Sequence, residues 1–300
     1  MSPLHALHSF ARSALHRSRG VRAPTPVNLS ERDVSPEAVA KDVEYAVKIG
    51  NEYLQQLAQV GLSARGIAVL ELGPGINYGS ALLLAAHDAR VIVADRFLVP
   101  WQSPYHDRFY AELGAWVRRN APEADASVVE RFAASRGRAS PLVREVAAPA
   151  ESLREVGTAE VDVVLSNAML EHSVRPTAVA RELFRVTQPG GYGIHQVDFR
   201  DHRDFSRPLE YLLLSREEFA RVFTASHGEC GGQIRPGEMR ECFEDAGFQV
   251  LGFDPNIVAS DEYLDDFLPR LRAATTSQYR DFPAAELTAV SGRFLLRKLA

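Results

Sequence analysis

Val69-Leu70-Glu71-Leu72-Gly73-Pro74-Gly75-Ile76-Asn77-Tyr78-Gly79 decides the fold. The apolar run Ile67–Leu72 suits a strand buried on both faces of a parallel sheet, and it leads through a glycine turn into the apolar helical stretch Ser80–Ala86. A strand, a tight turn and a helix start bring main-chain N–H groups up to a ligand, and glycine adds no side chain to block the approach. A dinucleotide fingerprint would put its third glycine at 78; Tyr78 stands there and Gly79 is one residue late. Glu71, at the strand end, has the wrong sign for a pyrophosphate and suits a ligand carrying a cation. Both features count against a nicotinamide-dependent oxidoreductase. Further on, Asp95 closes a second strand, Arg90–Asp95, where a carboxylate can grip a ribose diol.

Upstream, Ser35-Pro36-Glu37 carries a capping hydroxyl, proline at the first helical position and an acid at the positive helix end. Val39, Val43, Ala46, Val47, Tyr53, Leu54 and Leu57 keep a helical period, so Pro36–Val60 is predicted helical. Downstream, Leu142–Ala147, Val161–Asn167, Tyr192–Asp198 and Phe248–Asp254 read as strands, with a helix over Pro176–Gln188. This alternation predicts an α/β, Rossmann-like, mostly parallel sheet with helices on both faces. Three segments exceed simple crossovers: 97–141, with a helix around Tyr105–Asn120; 199–236, with a capping box at Ser215-Arg216-Glu217-Glu218; and 255–290, interrupted by Pro269 and Pro283. Such helical insertions after strands 2, 5 and 6 fall where α/β folds place ligand-binding material. Gly292–Leu299 alternates like a final antiparallel strand.

Of the 300 residues, 46% are hydrophobic and 24% charged, which is ordinary globular usage. No apolar run approaches a membrane span. Two cysteines, Cys230 and Cys242, are too few for a disulfide framework and lack metal-site spacing, which fits a reducing cytoplasm. Residues 1–30 hold Arg12, Arg17, Arg19 and Arg22 and no acid, so the −5 of the whole chain becomes −9 for the rest. That acidic body argues against nucleic acid as substrate. The basic arm, residues 1–34, reads as a tail, a transit peptide, or a segment touching a partner or an anionic membrane.

The chain resembles the class I S-adenosylmethionine-dependent methyltransferases, in particular the type 11 group. The resemblance rests on Glu71-Leu72-Gly73-Pro74-Gly75, on Val93-Ala94-Asp95-Arg96, on Val161–Asn167 with Leu170-Glu171-His172, and on Arg181–Val186 running into Pro189-Gly190-Gly191. It implies one methyltransferase domain over 35–300, a seven-stranded sheet with an antiparallel last strand beside Phe248–Asp254, and S-adenosylmethionine as cofactor. Glu71, Gly73, Pro74 and Gly75 would then cradle the methionine end, Asp95 would hold the ribose hydroxyls, Arg96 would lie beside the adenine and Asn167 near the methionine portion. Asn77 replaces the family's third glycine. Pro149 replaces the common adenine-facing aspartate, which shifts that contact to the main chain near Ala150 or to Glu151. These two departures keep open a non-catalytic partner protein built on the cofactor fold.

Methyl transfer from a sulfonium is an in-line displacement in which positioning supplies much of the catalysis. A hydroxyl acceptor also needs a base, usually histidine. His172, after the fourth strand, is one candidate, its alternative being a packing or capping role. His195, Asp198 and His202 form the other group. In a strand, His195 and Val197 point one way and Gln196 and Asp198 the other, so His195 and Asp198 do not pair. Asp198 and His202 can meet as a base with its orienting carboxylate or as metal ligands; the same charged run also reads as a solvated loop. Phe199, Phe205, Tyr211, Arg203 and Arg207 suit a hydroxylated small-molecule acceptor, a sugar, glycoconjugate or phenol, with 199–236 similar to sugar-modifying methyltransferases.

Overall fold

The computed structural model describes residues 29, 30, 32–137, 143–222 and 232–300; the arm up to residue 28, Leu142 and Cys230 lie outside them. Along the chain come α1 (Pro36–Gln59), β1 (Ala68–Leu72), α2 (Gly79–Ala86), β2 (Arg90–Asp95), α3 (Tyr105–Asn120), α4 (Ser127–Ala134), β3 (Val143–Ala147), β4 (Val161–Asn167), α5 (Pro176–Val186), β5 (Thr187–Asp198), α6 (Arg216–Val222), α7 (Pro236–Asp245), β6 (Phe248–Val258), α8 (Asp261–Ala273), α9 (Ala284–Thr288) and β7 (Ala289–Lys298). The strands form one seven-stranded sheet in the order β3-β2-β1-β4-β5-β7-β6. The first five run parallel, and β7 inserts antiparallel between β5 and β6.

Order reverses between β1 and β4, so the carboxyl ends of these strands form the crevice in which open α/β sheets bind ligands. One face buries Val69, Val91, Val93, Val163 and Leu165 under α1–α4. The other buries Leu70, Leu72, Ile92, Val164 and Val197 under α5 and α7. Central strands covered on both sides must be apolar at successive positions, which is why β1 is buried throughout. A third cluster, around Leu212, Leu264, Phe267, Tyr279 and Leu287, packs the 199–222 segment against α8 and α9.

Several elements differ from their sequence expectation. β5 begins at Thr187 rather than Tyr192, because Pro189-Gly190-Gly191 enters the strand through a register shift against β4. β6 runs on to Val258, its pairing with β7 carried past Pro255 by irregularities in register. The 97–141 insertion contains a second helix, α4, with Val128, Val129 and Phe132 buried at helical spacing. The Ser215 capping box forms as expected: Ser215 N–H donates to Glu218 Oε2 at 2.8 Å and Glu218 N–H to Ser215 Oγ at 3.1 Å.

Candidate functional site

The glycine turn after β1 uses Gly73 and Gly75 in the left-handed region, at φ +66° and +73°. A Cβ on Gly73 would lie 2.7 Å from Met169 Cγ, so this position accepts only hydrogen. A Cβ on Gly75 would meet nothing within 4 Å, leaving open space over the turn. Gly73 N–H bonds Ala94 O at 2.9 Å, tying the turn to β2, and Asp95 Oδ1 accepts from Phe97 N–H at 2.7 Å. Asp95 Oδ2 would lie 3.8 Å from a Cβ on Gly73, so the ribose-binding candidate and the turn share one crevice.

Asn77 is an asset to the turn. Its Oδ1 accepts from Gly79 N–H at 3.1 Å, and its amide donates to Tyr105 Oη at 3.0 Å. Tyr110 Oη donates to Asn77 O at 2.7 Å, and His106 Nε2 lies 2.8 Å from Ile76 O. Three α3 side chains therefore clamp the turn. The sequence gives α3 a helical period but no sign of this contact, which spans about 30 residues of chain. Gly79, the late glycine, stands where a Cβ would meet Ala46 Cβ at 2.5 Å and Phe109 at 2.9 Å. It lets α2 pack against α1 and α3.

Glu71 is buried and accepts from Ser80 Oγ at 2.7 Å through Oε1, with the Tyr53 hydroxyl beside the same carboxyl group. Burial raises its pKa to about 7, with hydrogen bonding from Ser80 and Tyr53 opposing the shift. Arg96 and Glu151 pair at 3.3 Å, and Glu151 Oε1 also accepts from Val174 N–H at 3.2 Å, closing the rim beside Ala150. Asn167, at the end of β4, donates to Tyr45 Oη of α1 at 3.0 Å. A buried carboxyl group, open space over the glycine turn and a strand-end carboxylate together fit S-adenosylmethionine. That group would supply an electrophilic methyl on a sulfonium, and Glu71, the Gly73–Gly75 turn, Asn77, Asp95, Arg96, Glu151 and Asn167 are the residues that would hold it.

A second cluster lies at the exits of β4 and β5. His202 Nε2 is 3.7 Å from Asp198 Oδ2, His172 Nε2 is 4.0 Å from Glu171 Oε1, and the two histidine rings meet edge to face at 5.3 Å. Arg200 holds Asp198 through Nη2–Oδ2 at 2.6 Å and its guanidinium lies 4.3 Å from the Phe205 ring, which is exposed. Glu171 is 1% exposed and neither carboxyl oxygen has a side-chain hydrogen-bond partner. Burial pushes its pKa up to about 8; Asp198 adds to the shift, while main-chain N–H groups and Arg200 oppose it. His172 is pushed down, by burial first and then by His202, against the pull of Asp198.

His195 stays apart from this cluster. It is fully buried, with Nδ1 2.9 Å from Ser166 Oγ and its ring stacked on Phe243 of α7. Burial lowers its pKa to about 3, so it is a neutral core residue and the catalytic expectation is corrected. Phe199 and Tyr211 are likewise buried, and Tyr211 Oη donates to Phe199 O. Arg203 pairs with Asp201, and Arg207 with Glu210 and Asp266, so of the five residues expected to meet the acceptor only Phe205 is a free exposed surface. Among the described residues no group of three or more His, Cys, Asp or Glu side chains could hold a metal ion. A groove of about 350 Å³ between α1 and α3, lined by Val43, Val47 and Trp116, shares no residue with either cluster.

A family model described as a methyltransferase domain matches residues 115–194, from within α3 to the middle of β5. No curated protein matches the sequence. Among solved structures, the chain is similar to an S-adenosylmethionine-dependent methyltransferase from Mesorhizobium loti (12% identity, 78% of this chain and 92% of that one, TM-score 0.45). It is also similar to 1,6-didemethyltoxoflavin-N1-methyltransferase from Burkholderia thailandensis (17%, 100% and 92%, TM-score 0.44). A third is phosphoethanolamine N-methyltransferase 2 from Haemonchus contortus (14%, 91% of this chain, TM-score 0.48), of whose length the chain spans 59%. The matched segment is that of a methyltransferase domain, and the sheet has the Rossmann-like, mostly parallel order that the resemblance implies. The cofactor that a domain of this kind implies is S-adenosylmethionine.

Proposed function

We propose that the protein methylates a hydroxyl of a small molecule, a sugar or a similar hydroxylated metabolite, with His202 as the base. The observation that supports this reading is Asp198 beside His202 at 3.7 Å, at the carboxyl end of β5. His202 turns Nε2 inward to Asp198, which leaves Nδ1 as the nitrogen for the acceptor's proton. The carboxylate orients the ring and favours the imidazolium formed as the proton arrives. A 3.7 Å separation is long for a hydrogen bond, and such contacts commonly tighten when substrate is bound. His172 lacks a comparably placed carboxylate: Glu171 leans to the undissociated form near neutrality and its Nδ1 is enclosed. It stands as the second candidate.

In this reading Asp95 holds the cofactor ribose, Glu71 faces its cationic end, and the segment after β5 with α8 and α9 walls the acceptor. Residues 97–141 support the cofactor turn instead of lining the acceptor. The basic arm would touch a partner or an anionic membrane through its residues up to 28, while Leu29 is buried on the domain and Arg32 pairs with Asp42. Among the described residues no helix is long and apolar enough to cross a membrane; a cytoplasmic setting is proposed on cysteine usage alone. Incubation with labelled S-adenosylmethionine and a panel of sugars and phenols tests the reading. Methoxy products that vanish with His202→Ala are expected; products methylated only on nitrogen, or an undiminished variant, would refute it.

A further inference from the structure

The first three arginines after β5 are each paired with a carboxylate. Arg200 is bound by Asp198, Arg203 by Asp201 and Arg207 by Glu210 and Asp266. What remains without a side-chain partner beside them is acceptor-capable: both oxygens of Glu171 and Nδ1 of His172. Two of these atoms belong to a carboxyl group that is 1% exposed, a placement that is costly to keep without a partner. These three arginines are thus already engaged, and the enclosed carboxyl group of Glu171 has no side-chain donor. A neutral diol offers two donors. An ammonium group offers three and a charge that draws Glu171 into its ionised form, the stronger complement to a buried carboxyl group.

We infer that the acceptor is an amino alcohol or amino sugar, whose ammonium group pairs with Glu171 while a neighbouring hydroxyl is presented to His202. This rests on the reading of His202 as base. The ammonium enters past His172, whose side chain is 31% exposed and stands 4.0 Å from Glu171 Oε1. Pairing keeps the nitrogen protonated and without a lone pair, so it is not methylated. The hydroxyl oxygen forms the new bond to the methyl carbon as the sulfonium C–S bond breaks. Its proton goes to His202 Nδ1 and S-adenosylhomocysteine leaves.

Calorimetric titration of the full chain saturated with S-adenosylhomocysteine tests this, with trans-2-aminocyclohexanol, trans-cyclohexane-1,2-diol and cyclohexanol as probes. The amino alcohol should bind at least about tenfold more tightly than the diol to the wild type, the scale of one charge-assisted contact. Glu171→Gln should abolish that preference and leave S-adenosylhomocysteine affinity unchanged. Equal affinities, binding by neither probe, or a preference that survives in Glu171→Gln would overturn the inference. The wild-type comparison stands even where the variant fails to fold. His202→Ala separates the two readings: it should remove methyl transfer and keep the amine preference. Loss of the preference alone sinks this inference, whereas an undiminished rate in His202→Ala sinks the base.

Discussion

Nε2 of His202 lies 3.7 Å from Oδ2 of Asp198, and the same carboxylate is gripped by Arg200. The arginine fixes the carboxylate, and the carboxylate in turn faces the imidazole. His202→Ala should therefore lower the single-turnover rate by about 10²–10⁴ with cofactor affinity nearly intact. Asp198→Asn should cost less but shift the pH limb of the rate, since it changes the charge beside the ring. His172→Ala is expected to keep more than about a tenth of the rate; a larger loss in that variant than in His202→Ala would reverse the assignment.

Asp95→Ala should weaken S-adenosylhomocysteine binding by about ten- to a hundredfold, the loss of a charge-assisted bidentate contact. Part of any change in the folded protein would come from Phe97 N–H, which loses its acceptor. Titration of the folded variant by calorimetry checks it, and an unchanged dissociation constant removes the ribose role.

Gly73→Ala should damage both stability and cofactor binding. The added methyl would strike Met169 Cγ, and the backbone sits at φ +66°. Strain of this kind costs about 1–3 kcal/mol before any side chain moves. Thermal unfolding and S-adenosylhomocysteine titration read the two effects separately. Gly75→Ala, with open space around it, should show the backbone strain with no steric clash.

Arg235 is wholly buried and has main-chain carbonyls, not a carboxylate, as its side-chain partners: Phe199 O at 3.2 Å, Glu286 O, Leu287 O and Ala289 O. It joins the start of α7 to the segment after β5 and to the entry of β7. Arg235→Met should destabilise the protein by about 2–4 kcal/mol, because those carbonyls lose their donor in a dry interior. Urea unfolding measures this, and a change below about 0.5 kcal/mol would show that water replaces the guanidinium.

Stability should pass through a maximum in mildly acidic solution. Glu171 and Glu71 have pKa values raised from 4.5 to about 8 and about 7, so their contribution is full below pH 4.5 and is lost as pH rises through those values. His195 is lowered from 6.5 to about 3, so its contribution is present above pH 6.5 and is lost as pH falls toward 3. The opposing slopes balance near pH 4.5, so melting temperature against pH should fall on both sides of about that value. Glu171→Gln should flatten the alkaline side only, and a wild-type melting temperature that keeps climbing to pH 8.5 would contradict the buried state of both acids.

Sequence alone determined the alternation of strands and helices, because a strand buried on both faces must be apolar at successive positions and a surface helix must be apolar at every third or fourth. β4 and α3 have the predicted bounds, Val161–Asn167 and Tyr105–Asn120. The glycine turn and the acid at Asp95 were legible too, since their meaning lies in short-range geometry at a strand end. The extension of β5 back to Thr187 was not, because Pro-Gly-Gly is a local turn signal that pairing with β4 overrides. Nor was the split between the histidines. His195 and His202 differ little in sequence, but one points from β5 into the packing against α7 while the other leaves the strand end and turns back to Asp198. Burial, partner and charge state come from what the fold brings alongside from distant parts of the chain. That is also why Asn77, a departure from the family glycine, becomes intelligible only once Tyr105 and Tyr110 of α3 are seen to close on it.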